Sequence, residues 1–570
     1  MRIRIRSITS VVGLCAAICT GGSFADPTQK SSIRFTDVTA DSGVDFTMTS
    51  GKTPSRYILE VDGGGVALFD YDGDGDLDLF FANGATLDEP EKGPGSRLYA
   101  NKGNGKFLDV TEKVGINLRR WAMGVAVGDY DSDGADDLYV TCFGANVLLR
   151  NDVAKSGRFT DVTETSGVGN DRWGTSAAFG DLDADGDLDL YLVNYLEFDP
   201  ENPPDRAGSM ILGVNVMAGP SGLLPQQDVL YENRGDGTFR DVTSQSGCLP
   251  GKPGFGLGVV VFDMDLDGKL DILVGNDSTE NFLFRNLGGL RFKEIGVVSG
   301  IASNYDGANQ ATMGIAIADV DGNGYPDVFT TNFSSDTNTL HLNLGNAFFD
   351  DRTSQFGLAM ISHPFLSWGT GFYDFDSDAD EDLFIANGHV YPETAEHPMD
   401  TNYEQRPMLF ERAGKRFRYH LESGEIFERR FPARSTAFGD IDDDGDVDVI
   451  MTTLNDKVRV FRNDSPHRQV LVVELRSARG GSQVQGALVE LVVGDRAWRR
   501  WITGGSYQSS DAPVAYFGPG AVAEGVKPSV RVTWPNGKKG VYSGILFGRK
   551  VTITEGEPTP RITPLRGRAD

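Results

Sequence analysis

Positive charge is scarce in this 570-residue sequence: 53 Lys and Arg face 82 Asp and Glu, for a formal net charge of −29. Nucleic-acid backbones and anionic membrane surfaces are held through a Lys/Arg footprint, so neither is expected as a partner, and the imbalance points to bound cations instead. The N-terminal apolar run, Ile8 to Ile18, is shorter than the roughly 20 residues that a bilayer crossing needs, so no membrane span is expected. There is no Gly-x-Ser-x-Gly elbow, no phosphate-binding glycine loop and no convincing Cys/His pair. The 71 Gly and 25 Pro stay below the share that marks low complexity, and 39% hydrophobic residues with 10% aromatics suffice to build cores. The chain is therefore read as folded.

The first 25 residues read as a secretory signal peptide. Arg2, Arg4 and Arg6 form a basic start, the apolar run comes next, and Ser23-Phe24-Ala25 gives a small-x-small cleavage site before Asp26. Cleavage after Ala25 predicts a secreted or periplasmic protein. Two of the four cysteines, Cys15 and Cys19, leave with this segment. The remaining Cys142 and Cys248 are equally compatible with one bridge and with two buried thiols.

What the sequence has in abundance is a repeat. Asp-x-Asp-x-Asp-Gly-x-x-Asp, or a close variant, begins at Asp70, Asp129, Asp181, Asp263, Asp319, Asp374 and Asp440. Those seven windows contain 34 of the 82 acidic residues, so much of the net charge is local. A second element, Phe-x-Asp-Val-Thr, stands at Phe35, Phe107, Phe159 and Phe239, with looser versions at Phe292, Phe348 and Phe417. Gly65 to Phe69 before an acidic window, and Leu77 to Asn83 after it, typify flanking runs that read as buried strands, which makes the window a hairpin loop. Asn83, Asn194, Asn276, Asn332 and Asn387 end the second strand of five hairpins and read as turn residues.

Seven β-units without helical periodicity between them predict an all-β fold, a seven-bladed β-propeller over residues 33–463. A strand near Phe35 to Thr39 would complete the last blade beside Val458 to Arg462, leaving the ring closed.

The spacing within the loop is that of a hard-cation site. Ca²⁺ takes six to eight oxygens at about 2.3–2.6 Å, and side chains at positions 1, 3 and 5 with a carbonyl at 7 supply them in a tight loop. Position 1 is Asp70, Asp129, Asp181, Asp263, Asp319, Asp374 and Asp440; position 3 is Asp72, Asp131, Asp183, Asp265, Asp321, Asp376 and Asp442. Position 5 is Asp74, Asp133, Asp185, Asp267, Asn323, Asp378 and Asp444. Position 7, which offers its carbonyl, is Asp76, Ala135, Asp187, Lys269, Tyr325, Asp380 and Asp446. Position 9, read as a bidentate carboxylate, is Asp78, Asp137, Asp189, Asp271, Asp327, Asp382 and Asp448. Without a cation each carboxylate pair would repel by about 4 kcal/mol at an effective dielectric near 20. Up to seven Ca²⁺ are expected. The sixth loop has Ala379 where the others have Gly; if that position needs positive φ, loop six is the weakest site.

These loops and phenylalanine units resemble the FG-GAP/VCBS repeats of integrin-α-like propellers. The C-terminal part of the chain resembles the ASPIC/UnbV domain, on Gly504-Gly505-Ser506-Tyr507-Gln508-Ser509-Ser510-Asp511, Phe517-Gly518-Pro519-Gly520 and Trp534-Pro535-Asn536-Gly537. The pairing is similar to bacterial secreted relatives of the cartilage acidic protein family. The resemblance implies Ca²⁺ at the five loop positions and no established enzymatic activity. Cysteines that family members often carry in the insertion after the third loop are missing from Glu197 to Gln227.

Residues 464–556 read as a small β-sandwich domain from alternating apolar runs such as Leu488 to Val493 and Val530 to Trp534, and residues 557–570 read as a disordered tail. Trp498, Trp501 and Tyr507 are assigned to core packing rather than to sugar stacking. His389, Glu393, Glu396 and His397 form the one local His/acid cluster, in a Pro-interrupted loop that breaks the helical spacing of a zinc motif. Two functions fit. The first is a calcium-binding adhesion or scaffold protein whose loops Glu197 to Gln227 and Gly388 to Gly414 recognise a protein or glycan. The second is an extracytoplasmic hydrolase or lyase acting on polysaccharide or another polymer at the channel mouth. Two carboxylates near the axis that are not calcium ligands, with insertion residues closing over them, would favour the enzyme.

Overall fold

Short apolar runs are broken by Gly, Asn and Asp, and among the described residues the α-helices are single four-residue turns such as Thr163–Ser166. The computed structural model describes residues 31–204, 210–211, 213–395, 401–466, 469–479, 481, 484–503, 505–522 and 526–566. The signal peptide, Glu396, His397 and residues 567–570 lie outside them.

Besides one small hairpin, Met210–Ile211 with Val214–Asn215, the described strands up to Asn463 form seven four-stranded antiparallel sheets. Each begins with a buried strand: Val66–Phe69, Ala122–Gly128, Gly174–Gly180, Gly256–Phe262, Ile315–Ala318, Ser367–Tyr373 and Ala433–Gly439. Successive first strands touch in this order, and Ala433–Gly439 touches Val66–Phe69, which closes the circuit. The closing sheet takes its outer strand from the other end of the chain, with Phe35 opposite Asn463 and Asp37 opposite Phe461. The Phe-x-Asp-Val-Thr unit is the outer strand of its sheet. Its phenylalanine is buried in all seven, although in the fifth sheet that residue is Phe349, while Phe348 is exposed. Its threonine turns back to accept an N–H from the third strand, as Thr111 does from Leu98 at 2.9 Å and Thr243 from Leu230 at 2.9 Å.

Neighbouring sheets are laced together by an asparagine at the end of the third strand in six of the seven sheets. Asn286 Nδ2 donates to Leu270 O in its own sheet at 2.8 Å and to Leu182 O in the preceding acidic loop at 2.7 Å. Asn101, Asn151, Asn233, Asn343 and Asn463 reach the preceding loop in the same way, at 2.8 to 2.9 Å. Arg412 stands at the equivalent place in the sixth sheet.

The C-terminal segment forms two more four-stranded sheets, one containing Leu471–Arg476 parallel to Arg549–Thr554, the other containing Leu488–Val493. Their inner faces share an apolar cluster that includes Leu471, Val489, Phe517, Val530 and Ile553. Residues 557–566 differ from the expected disordered tail. Arg561–Pro564 is a strand paired with Arg549–Thr554, and the Arg566 guanidinium lies 2.8 Å from Asp76. An open sheet edge and acceptors for its charge order this Pro-rich segment.

A second property of this domain has no signature in the sequence: residues 505–511 run along the inside of the ring and bond to all seven sheets. Ser510 N–H donates to Val66 O, Val125 N–H to Gln508 O, Gln508 N–H to Ser176 Oγ, and Val259 N–H to Ser506 O, at 2.9 to 3.3 Å. Ser506 Oγ donates to Ile315 O at 3.0 Å, Tyr373 O–H to Asp511 Oδ2 at 3.0 Å, and Phe438 N–H to Asp511 Oδ1 at 2.9 Å. The approach is close enough that a Cβ on Gly65 would stand 2.4 Å from Gln508 O. Tyr507 is wholly buried there rather than in the core of its own domain. Cys142 and Cys248 are buried free thiols, each pushed up to about 12 by burial, so no bridge forms between them.

Replacing Asn286 by Ala removes both lacing hydrogen bonds and leaves two buried carbonyls unmet. A loss of about 1–3 kcal/mol is expected in urea denaturation, against little change for Arg412→Ala.

Candidate metal centres and an axial cavity

Every acidic loop joins the first strand of its sheet to the second, and position 9 is the first residue of that second strand, as in Asp78–Phe81 and Asp137–Cys142. The loop folds on its own backbone. Position 1 accepts the N–H of position 6 in all seven copies: Gly75 to Asp70 at 3.0 Å, Gly134 to Asp129 at 2.9 Å, and likewise to Asp181, Asp263, Asp319, Asp374 and Asp440 at 2.8 to 3.1 Å. That turn requires positive φ. The glycines adopt +84° to +100°, and Ala379 is held at +90°, the strained geometry that its place in the repeat predicts. Position 4 is also left-handed, at Ser132, Ala184, Leu266, Ser377 and Asp443 as well as Gly73 and Gly322, a demand the sequence pattern does not announce.

Position 5 accepts the N–H of position 7 in every copy, from Asp76 to Asp74 at 2.9 Å through Asp446 to Asp444 at 3.1 Å. Position 7 side chains meet other partners: Asp76 meets Arg566, Asp187 meets Arg479, and Lys269 lies 2.9 Å from Asp267. This suits a position whose carbonyl is its contribution.

Position 9 has more structural work than the sequence suggests. Its Oδ2 accepts the N–H of position 2, and its Oδ1 an N–H at the end of the third strand. For Asp78 these come from Tyr71 at 2.9 Å and Asn101 at 2.8 Å; for Asp382, from Phe375 at 3.1 Å and Arg412 at 2.8 Å. The remaining lone pair on each oxygen is what position 9 has to offer a cation.

The arrangement fits a hard cation. In Asp70/Asp72/Asp74, Asp129/Asp131/Asp137, Asp181/Asp183/Asp185, Asp263/Asp265/Asp271 and Asp319/Asp321/Asp327, each carboxylate brings an oxygen within 4.8 Å of the others. Buried Oδ1 atoms of Asp131, Asp181, Asp265, Asp319 and Asp376 have no hydrogen-bond partner. An orphaned buried oxygen with two more carboxylates beside it needs a cation or a proton. The C-terminal domain supplies some positive charge from outside: Arg499 lies 3.2 Å from Asp319, Arg476 lies 3.7 Å from Asp70, and Arg500 pairs with Glu381.

A second feature lies at the opposite end of the first strands. A cavity of about 50 Å³ is walled by Val61, Met217, Leu257, Met313, Trp368 and Tyr391, with Asp62 and Asp277 in its lining. Ala218, Gly219 and Pro220 of the Glu197 to Gln227 insertion close over it. Neither aspartate belongs to a motif, and no signal in the sequence distinguishes them from turn residues. Both are pushed up by burial. His389 stands nearby, driven down to about 3 by burial and by the charge of Arg434. Its Nδ1 accepts Tyr391 N–H at 3.1 Å and its Nε2 lies 3.0 Å from Ser334 Oγ, so both ring nitrogens are engaged.

Burial also raises the loop carboxylates, Asp70, Asp181 and Asp263 to about 6, Asp129 to about 7, and Asp78 and Asp327 to about 8. In the unfolded chain such groups ionise near pH 4, so between those limits the folded protein holds more protons. Metal-free protein is therefore expected to lose stability as pH rises from about 4 to about 8. Urea midpoints measured in chelator across that range should fall steadily.

Residues 70–140, 129–192, 217–274 and 263–330 match the FG-GAP-like repeat, and residues 477–560 match ASPIC and UnbV. Cartilage acidic protein 1 of Xenopus tropicalis is 26% identical over 554 residues, covering 93% of this chain and 76% of its own. The Mus musculus protein of that name is 27% identical over 503 residues, covering 83% and 70%. Among solved structures, an Agrocybe aegerita lectin described as recognising non-reducing terminal N-acetylglucosamine aligns at a TM-score of 0.37 and 15% identity, covering 69% of this chain and 86% of its own. A likeness that low carries no functional argument. The chain thus carries FG-GAP-like repeats followed by an ASPIC and UnbV domain, and over most of its length it is similar to the cartilage acidic proteins.

Proposed function

We propose that this chain is an exported, calcium-bound binding or scaffold protein: a seven-bladed propeller with a β-sandwich domain seated on its acidic-loop end. The observation that carries the reading is the gathering of three carboxylates, each with an oxygen within 4.8 Å of the others, in successive loops, with a buried oxygen of Asp131, Asp181, Asp265 and Asp319 left without a hydrogen-bond partner. Calcium there supplies charge that neutralises the cluster and a centre for six to eight oxygens. Positions 1, 3 and 5, the carbonyl of position 7 and the spare lone pairs of position 9 are its ligands. The opposite end of the ring, where the Glu197 to Gln227 insertion sits on a strand frame, is the recognition face. One observation favours the alternative, a hydrolase or lyase acting on a secreted polymer: Asp62 and Asp277 share a cavity under the insertion.

Ca²⁺ that binds only the folded state adds about 2.7 kcal/mol per site at a hundredfold excess over Kd. Chelation is expected to lower the melting temperature markedly, and an unchanged value would remove the calcium reading. Ala379→Gly relieves about 1 kcal/mol of left-handed strain and should tighten the weakest calcium step several-fold, read by calcium titration of the two proteins.

A further inference from the structure

The axial cavity contains an electrostatic imbalance. Asp62 is 3% exposed. Its Oδ1 accepts Tyr507 O–H, Gln508 Nε2–H at 2.8 Å and Gly63 N–H at 2.9 Å, while its Oδ2 is buried with no partner. The nearby cation, Arg434, attracts Asp62 through space but forms no ion pair with it, which leaves two carboxylates against one guanidinium. That guanidinium is spent on carbonyl oxygens, Val61 O and Ala433 O at 2.7 Å, and lies 4.4 Å from the Trp368 ring. The second carboxylate, Asp277, accepts Tyr195 O–H at 2.6 Å and Ser278 O–H at 2.7 Å and likewise has no cationic partner among the described ion pairs. Asp277 is only partly buried and sits beside the partly exposed Ala218 to Pro220, which gives a route in.

The rest of the wall decides what fits. It is aromatic and aliphatic, with Tyr391 and Phe333 rings 5.8 Å apart at one side. A divalent metal would need six or more oxygens, and two carboxylates fall short. A sugar would need donors and acceptors for several hydroxyls, and the Tyr195 hydroxyl is already given to Asp277. A positive group on an apolar stem needs what is present: carboxylate oxygens at the end, ring faces and methyls along the side. The space, about 50 Å³, exceeds what a single water requires.

We infer that the axial cavity binds an alkylammonium group, a lysine-like chain end, with its charge between Asp62 and Asp277 and its methylenes against Tyr391, Phe333 and Met217. This names the ligand chemistry of the recognition face and so rests on the binding reading of the whole protein.

The test is calorimetric titration of calcium-loaded, full-length mature protein with n-butylammonium and with n-butanol, its uncharged counterpart, in the millimolar range. Saturable binding of the amine alone is expected, weakened about tenfold or more in Asp62→Asn and in Asp277→Asn, since each removes a charge contact. Asp277 is partly exposed, so its variant carries the comparison if Asp62→Asn does not fold. Equal binding of amine and alcohol, no saturable binding of the amine, or undiminished binding by Asp277→Asn overturns the assignment. Failure in these ways leaves the scaffold reading standing. Release of reducing ends from polysaccharide by the wild-type protein, lost in both variants, defeats the binding reading itself.

Discussion

Crowded carboxylates, buried at positions 1 and 9 of each loop or nearly so and in most copies more exposed between them, are the constraint around which this protein is organised. Each sheet turns its first hairpin through a loop in which three or more acids stand within a few ångströms. Desolvation and mutual repulsion there must be offset locally. Part of the compensation is backbone: the N–H groups at positions 2, 6 and 7 point into the cluster, as Tyr71, Gly75 and Asp76 do in the first copy. Part comes from Arg476, Arg479, Arg499, Arg500 and Arg566, which the C-terminal domain brings to five of the seven loops, Arg566 meeting both Asp76 and Asp443. What neither source reaches are the buried oxygens of Asp131, Asp181, Asp265, Asp319 and Asp376 that have no hydrogen-bond partner.

The C-terminal domain is therefore not an appendage. Its basic side chains meet the acidic loops, and residues 505–511 fill the ring and hydrogen-bond to all seven sheets. A propeller core is commonly a central channel; here the chain fills its own. Filling it with a polar segment is tolerable because the backbone and side chains of residues 506–511 find partners on the first strands. One end of that segment carries Tyr507 to Asp62, so the plug reaches the cavity at the far end of the ring.

The features legible in sequence are those written in local spacing. The acidic windows, the hairpin they join, the buried phenylalanine of the outer strand, the closure by Phe35–Asp37 and the positive φ at Ala379 all follow from residue types at fixed offsets. Other features depend on contacts between distant residues. The lacing asparagines, Asn151 and Asn286 among them, look like any strand-end turn residue until the neighbouring loop is beside them. Gln508 and Tyr507 lie in a segment whose apolar-polar mixture resembles an ordinary turn, and their partners are more than three hundred residues away. Asp62 and Asp277 lack a motif because one-off sites have no repeat to betray them. The Pro-rich tail misleads for the opposite reason: its composition is that of a disordered segment, and only an available sheet edge reveals its order.

The strand that finishes the ring is also among the first to be synthesised. Phe35 must wait for Asn463, and Ser510 must arrive after both before the interior is filled. At ribosomal rates of about 5–20 residues per second the waiting time is on the order of tens of seconds. Over that interval six hairpin-linked sheets exist without the clasp that makes them a circle, and their inner strands have no plug between them. A chain built in this way favours delayed collapse: assembly once Phe35, Asn463 and Ser510 are all available avoids the open, edge-bearing arc that stepwise folding would produce.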